Sequence, residues 1–323
     1  MNRSTGSFDW TTDDPKNSYV DKDGLHIVPT TTLESTDITY EQLIDGYTLN
    51  LTADGTCTNI DQRLSELTKN DPCVAVSNKT KSQIINPVRS ARLTTAGKKT
   101  IKYGRVEVVA KLPAGDWLWP AIWCVARTVA PSVVAAAYKT LHDRLMPQDN
   151  VYGEWPRSGE IDIMESRGND AETYPIGNNI VTSALHWGTT YLNDAWRLSA
   201  GEWGSKRTKY SEGFHTYGLE WSEKYLFTWL DGRLRVGTRK APVPDSVLQM
   251  LTRLFPSAAQ QILFFDFTKN KNLWTCGEFA GTTVNGTAIP DPWSQTGRPN
   301  SPFDQPFYLI LNVAVGGTGG WFP

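Results

Sequence analysis

"GEWPRSGEIDIMES", residues 153–166, sets three acidic residues within six positions of an apolar run. Glu160, Asp162 and Glu165 stand among Ile161, Ile163 and Met164. Carboxylates this close raise one another's pKa, so crowding them is costly. On an α-helix, at ~100° per residue, the three would face different ways. On a strand, Glu160 and Asp162 share a face because side chains alternate. Glu165 then falls on the opposite face, unless a β-bulge absorbs one residue and shifts the alternation. With that bulge all three carboxylates point one way, and Ile161 and Ile163 fill a core behind them. The stretch predicts a bulged strand.

Working outward, the same period of two recurs in "GLHIVP" (24–29), "GYTLNL" (46–51), "YGRVEVVAKL" (103–112), "IVTSALHW" (180–187), "FHTYGLEW" (214–221), "YLFTWLDG" (225–232) and "FYLILNVAV" (307–315). These runs are short, β-branched or aromatic, and bounded by Gly, Pro, Asn and Asp. They predict an antiparallel all-β chain, and the lack of strand–helix alternation excludes a doubly wound α/β fold. Two segments interrupt the pattern. Residues 124–146 read as coil followed by an Ala-rich helix. Residues 236–260 carry a better helix, capped by Asp245 or Ser246, with Val247, Leu248, Leu251, Leu254 and Phe255 at helical spacing. Both read as insertions into a β framework.

Composition narrows the function. The chain has 323 residues, net charge −2 and pI ≈ 6.1, with no basic stripe and no Gly-rich phosphate loop, which argues against nucleic acid. No apolar run approaches the ~18 residues of a membrane span. The N-terminus, "MNRSTGSFDW", lacks the apolar core of a secretory signal. Sequons at Asn2, Asn50, Asn78 and Asn285 nevertheless point outside the cell. The cysteines, Cys57, Cys73, Cys124 and Cys276, have no metal-finger spacing. Cys57 and Cys73 flank a polar loop and either pair or stay reduced; Cys124 and Cys276 read as buried or free thiols. Thirteen Trp residues supply both core filler and platforms for the apolar faces of sugars.

Two carboxylates facing one bond are the equipment of glycoside hydrolysis. In its retaining form the carboxyls stand ~5–5.5 Å apart. A strand rises ~3.3 Å per residue, so spacing alone does not decide retention. Asp162, between the two glutamates, would help set unequal pKa values on them. A calcium site would want its oxygen ligands on a flexible loop, and a plain acidic edge would not sit beside "WPRSG" and several Trp residues. Both readings rank below a cleft.

At this point the residues resemble a known family. "GEIDIMES" (159–166) is similar to the E-[IL]-D-x-x-E signature of glycoside hydrolase family 16, in its laminarinase-like branch. "GDWLWPAIW" (115–123) resembles that family's W-P-A-x-W element, and "YGRVEVVAKLP", "ALHWG", "FHTYGLEW" and "FYLILNVAVGG" fall in the expected order. The resemblance covers roughly 8–123, 147–235 and 261–323. It implies one domain over 1–323, a concanavalin A-like β-jelly-roll sandwich of two antiparallel sheets with a glucan cleft on its concave face. It further implies endo-hydrolysis of β-1,3-glucan, and of mixed 1,3-1,4 linkages as an extension, with retention. Glu160 would be the nucleophile, Asp162 its electrostatic partner and Glu165 the acid/base. Trp119, Trp123 and Trp155 would line sugar subsites, with His186 and Asn312 near the scissile bond. No metal or cofactor is implied. The expected partner is β-glucan, met by a monomer outside the cell or at a cell wall.

Several positions keep a second reading. One of Trp119 and Trp123 turns inward if Pro120 reverses the strand; His186 and Asn312 belong either to the cleft or to satisfied core positions. Arg92 reaches substrate or pairs with an acid on the sheet. The insertions depart from the family's short connections, consistent with translated intron sequence or with surface loops. The end at "GGWFP" predicts further strands beyond it. Two other functions stay open on this fold: non-catalytic β-glucan recognition, whose members tend to lose a carboxylate that is present here, and cell-wall transglycosylation.

Overall fold

The computed structural model describes residues 6–57, 73–126, 151–231, 235–236, 260–269, 272–284 and 286–322. Seven short strands come first: β1 (Asp9–Thr11), β2 (Ser18–Asp21), β3 (Gly24–Ile27), β4 (Thr30–Thr31), β5 (Thr48–Asn50), β6 (Val74–Val76) and β7 (Val88–Ser90). They form small sheets over their own apolar cluster, where Trp10, Ile38, Leu43, Leu49, Leu51 and Ile85 are buried. Cys57 and Cys73 are disulfide-bonded there, with Cα atoms 5.7 Å apart; Cys124 and Cys276 are free thiols.

The strands of the sandwich follow: β8 (Arg92–Thr94), β9 (Gly104–Ala110), β10 (Leu118–Ala126), β11 (Glu160–Ser166), β12 (Ile180–His186), β13 (Ala200–Gly204), β14 (His215–Trp221), β15 (Tyr225–Leu230), β16 (Arg235–Val236) and β17 (Gln260–Asp266). A small hairpin, β18 (Thr283–Val284) with β19 (Thr287–Ala288), precedes β20 (Phe307–Val315). Six of these strands form one antiparallel sheet in the order β13-β12-β11-β10-β20-β8. Five form a second, β16-β17-β15-β14-β9, antiparallel except for the β16–β17 pair.

The sheets face each other across one core. Ile122, Cys124, Ile161, Ile163, Met164, Val181 and Leu185 of the first sheet meet Tyr217, Leu219, Trp221, Leu226, Leu230 and Phe265 of the second. Burying each large apolar side chain contributes about 1.5–3 kcal/mol, which is why alternation sets the register. At Gly201, a Cβ would lie 2.0 Å from the Ile262 carbonyl oxygen. Only a hydrogen fits where β13 closes on β17.

Each run read as a strand contains one, and the architecture is the expected all-β sandwich. The insertion boundaries need correction. Cys124 and Val125 are fully buried, on opposite faces, and with Ala126 they complete β10 against β20 and β11. The apolar run simply continues the strand. At the second segment Val236 pairs with Gln261, and Gln260 opens β17. The remainder, 127–146 and 237–259, lies outside the described residues, and so does the helix expected over 247–255. Three helices of four or five residues, Thr32–Ser35, Tyr40–Ile44 and Leu273–Cys276, were too short to show a period. Among the described residues no helix is long and apolar enough to cross a membrane.

Candidate active site

Gly159 turns the chain into β11 with φ +84°, and a Cβ there would press on Pro302, Phe303 and Phe307 at 3.1–3.3 Å. From Glu160 onward the strand alternates until the pairing slips. Asp162 stands opposite Ala184 and Glu165 opposite Thr182, so Ile163 and Met164 together face the single residue Ser183. Against β10, Met164 pairs with Ile122 and Asp162 with Trp123. This is the bulge the carboxylates require. Ile163 and Met164 both enter the core, and the Ser183 hydroxyl donates to the Ile163 carbonyl at 2.6 Å.

The outer face of this sheet is therefore a lattice of named positions. His186, Glu160, Val125 and Tyr308 form one row across β12, β11, β10 and β20. Ala184, Asp162, Trp123, Ile310 and Thr94 form the next, and Thr182, Glu165, Ala121, Asn312 and Arg92 the third. Trp119 lies on the same face beside Ala314. Neither Trp119 nor Trp123 turns into the sandwich core.

Each glutamate accepts an indole N–H. Trp155 Nε1 donates to Glu160 Oε2 at 2.7 Å, and Trp119 Nε1 to Glu165 Oε1 at 2.9 Å. Both glutamates are half-buried on the outer face of the sheet. Burial raises both pKa values and the charge of Asp162 adds to it, while His186 opposes. Glu165 reaches about 8, and Glu160 stands well above the ordinary carboxylate value.

His186 sits between two aspartates: its Nε2 lies 3.0 Å from Asp162 Oδ2 and its Nδ1 2.5 Å from Asp194 Oδ2. Burial alone would lower its pKa, but Asp162, Asp194 and Glu160 outweigh that and hold the imidazolium well above the usual histidine range. One donor atom each from Glu160, Asp162 and His186 lies within 4.8 Å of the others, close enough for a metal in principle. Both ring nitrogens of His186 are already engaged, by Asp162 and by Asp194.

Trp123 is only 8% exposed. Arg92 covers its ring, with the guanidinium carbon 4.6 Å from the centroid, and its Nε1 donates to Asn312 Oδ1 at 2.7 Å. Burial pushes Arg92 down to about 10, against the charges of Tyr308, Glu160 and Asp9. Trp123 is thus the wall that orders Arg92 and Asn312, more than an open platform. The structure brings all nine expected site residues onto one face or its rim.

Sequence reasoning missed four neighbours. Asp194 orients His186 from a loop that carries no pattern. Trp196, 39% exposed, lies with its ring 6.3 Å from that of His186. Trp321 stacks on Trp119, and Arg167 on Trp321. The tryptophan count alone could have drawn attention to Trp196 and Trp321.

No family model matches the chain. It is 36% identical over 242 residues to a β-1,3-glucan-binding protein of Penaeus monodon, covering 75% of this chain and 50% of that protein. It is 30% identical over 237 residues to a glucan endo-1,3-β-glucosidase of Cryptopygus antarcticus, covering 72% and 58%. With glucan endo-1,3-β-glucosidase A1 of Niallia circulans it shares 29% over 238 residues, covering 72% and 24%. The chain thus spans about half, or less, of the length of these relatives. Among solved structures, the non-specific endo-β-1,3(4)-glucanase SCLam of family GH16 superposes with TM-score 0.50 at 20% identity, over 99% of this chain and 72% of that one. An endo-acting O-glycanase from the human gut microbiota gives 0.52 at 22%, over 100% and 74%. These two likenesses bear on the fold, which is their jelly roll. In sequence and in fold the chain is laminarinase-like, of the glycoside hydrolase family 16 type that includes β-1,3-glucanases and β-glucan-binding proteins.

Proposed function

We propose that the chain hydrolyses β-1,3-glucan internally, by a retaining double displacement. The observation that carries this reading is the bulge, which sets Glu160, Asp162 and Glu165 on one face with an indole N–H on each glutamate. Glu165, raised to about 8, holds its proton at neutral pH and donates it to the leaving oxygen. Glu160 attacks the anomeric carbon. The imidazolium of His186 and the Trp155 N–H oppose the rise in its pKa, and positive charge developing on the sugar favours its ionised form at attack. Asp162 links Glu160 to His186. After the first displacement Glu165, now ionised, takes a proton from water, which attacks from the face that the leaving group left.

Reducing ends should appear when purified chain meets laminarin and not with Glu160→Gln. Azide should restore turnover to Glu160→Ala through an adduct of inverted configuration. To Glu165→Ala it should give an adduct of retained configuration. Swapped configurations would reverse the roles, and equal residual activity in both variants would sink the two-carboxylate mechanism.

A second reading is glucan recognition without catalysis, because the 36% relative is named for binding alone. Laminarin binding by the parent chain with no reducing ends released would favour it. A transglycosylase would release fewer reducing ends and lengthen acceptors. The Cys57–Cys73 bridge and the sequons support work outside the cell, and the form expected there is a monomer on a polysaccharide.

A further inference from the structure

Trp119 does not stand alone beside Glu165. Its ring is stacked on that of Trp321, with centroids 4.8 Å apart and planes 9° from parallel. On Trp321 in turn lies the Arg167 guanidinium, its carbon 4.1 Å from the ring centroid. Arg167 also ties down the backbone there: Nε donates to the Trp321 carbonyl at 3.0 Å, and Nη2 donates to the same oxygen. Phe322 closes the edge, 5.4 Å from Trp117 and 6.5 Å from Trp119. Trp117 is held at φ +69°, a conformation that costs a non-glycine residue energy, and its carbonyl accepts from Gly316 at 2.7 Å.

We propose that Trp321, clamped by Arg167, is a positioning residue that holds the Trp119 indole so that its N–H fixes the Glu165 carboxyl. The inference rests on the reading of Glu165 as the acid/base. An indole with neither face covered would be free to swing about its side-chain torsions and carry its N–H away from Oε1. Trp321 removes that freedom by covering one face, and so takes that face from sugar stacking. Arg167 leaves β11 two residues beyond Glu165, so the clamp and the carboxyl it serves share one strand end.

Charge follows the same path. Asp162 on β11 and His186 on β12 act on Glu165 with opposite sign, and Glu160 lies in the same cluster. Arg167 lowers the Glu165 pKa, with Glu202 on β13 and Tyr174 placed near the guanidinium. Losing the Trp119 hydrogen bond, or losing Arg167, should therefore leave Glu165 protonated to higher pH.

The test uses the full chain with Trp321→Ala, Trp321→Phe and Arg167→Met. The indole N–H resonance of Trp119, assigned by its loss in Trp119→Phe, reports Glu165 ionisation without any turnover. In the parent its inflection should fall at about 8. Trp321→Ala and Arg167→Met should each move it up by about one pH unit, while Trp321→Phe, which keeps a ring, should move it less. On laminarin, kcat should drop about tenfold in Trp321→Ala with KM within about twofold. An inflection unchanged in every folded variant, or an unchanged kcat in Trp321→Ala, would overturn the proposal. If Trp321→Ala does not fold, Trp321→Phe and Arg167→Met decide by their inflections. A parent chain that binds laminarin without cutting it would refute the proposed function, and the titration would then decide the role of the stack by itself.

Discussion

Glu165 keeps its proton to about pH 8 in the folded chain, against an ordinary value of 4.5, because burial and Asp162 penalise its charge. The sign of the consequence for stability follows from linkage. A group whose folded pKa is raised stabilises fully below the unfolded value, and that contribution is lost as pH rises through the folded one. Between pH 4.5 and about 8, then, Glu165 progressively weakens the fold. Glu165→Gln removes the ionisation and keeps the shape. Its Tm should match the parent at about pH 4.5 and exceed it at about pH 9 by several degrees. Thermal melts by circular dichroism at both pH values measure this; a gap of the same size at both would show that the carboxyl's charge is not responsible. His186 belongs to the same balance of charge, since its imidazolium lets two aspartates and two glutamates share one cleft wall.

The bulge in β11 does at the level of the element what no single residue can. It uses one position to rotate Glu165 through the sheet, and the Ser183 hydroxyl satisfies the carbonyl that the slip exposes. Deleting Met164 should restore plain alternation while leaving Glu160, Asp162 and Glu165 on one face. The predicted product is a folded chain, destabilised by about 2–5 kcal/mol for the lost core side chain, with retained but altered activity. Urea unfolding and laminarin assays check both parts. A deletion variant that is fully active at parental stability would show that the bulge serves neither geometry nor packing.

Across the whole molecule, β20 is the seam. Its far end receives the N-terminal strands, as Phe8 N donates to the Val315 carbonyl at 2.8 Å and Val315 N to Asp9 Oδ1 at 2.8 Å. Ser90 Oγ donates to the Val313 carbonyl at 2.6 Å. β10 pairs along nine residues on its other side. The strand boundaries at Ala126, Val236 and Gln260 define where the two interrupting segments can be cut. We propose that both segments are dispensable to the sandwich. Replacing 127–146 and 237–259 with short Gly-Ser links should raise soluble yield and leave the carboxylate face in place, read by glucan pull-down and laminarin hydrolysis. Lost glucan binding on excision would show that they belong to the working cleft. An amphipathic helix at 247–255 would be stable only if docked.

Much of this was legible in the chain itself. Alternation at period two identified the strands, because one face of each must be apolar to be buried. The spacing of Glu160, Asp162 and Glu165 demanded a bulge, because only a slipped register lets three carboxylates share a face. Family-like motifs marked Trp119, Trp155, His186 and Asn312. Other features depend on contacts that no local period encodes. Asp194 meets His186 because a loop folds back across β12, and Trp321 meets Trp119 and Arg167 because β20 runs beside β10. Trp123 changes from platform to wall because β8 delivers Arg92 over its ring. Local pattern reports which face a side chain takes; only the closed sheet decides what stands opposite it, since those partners come from strands up to about two hundred residues away.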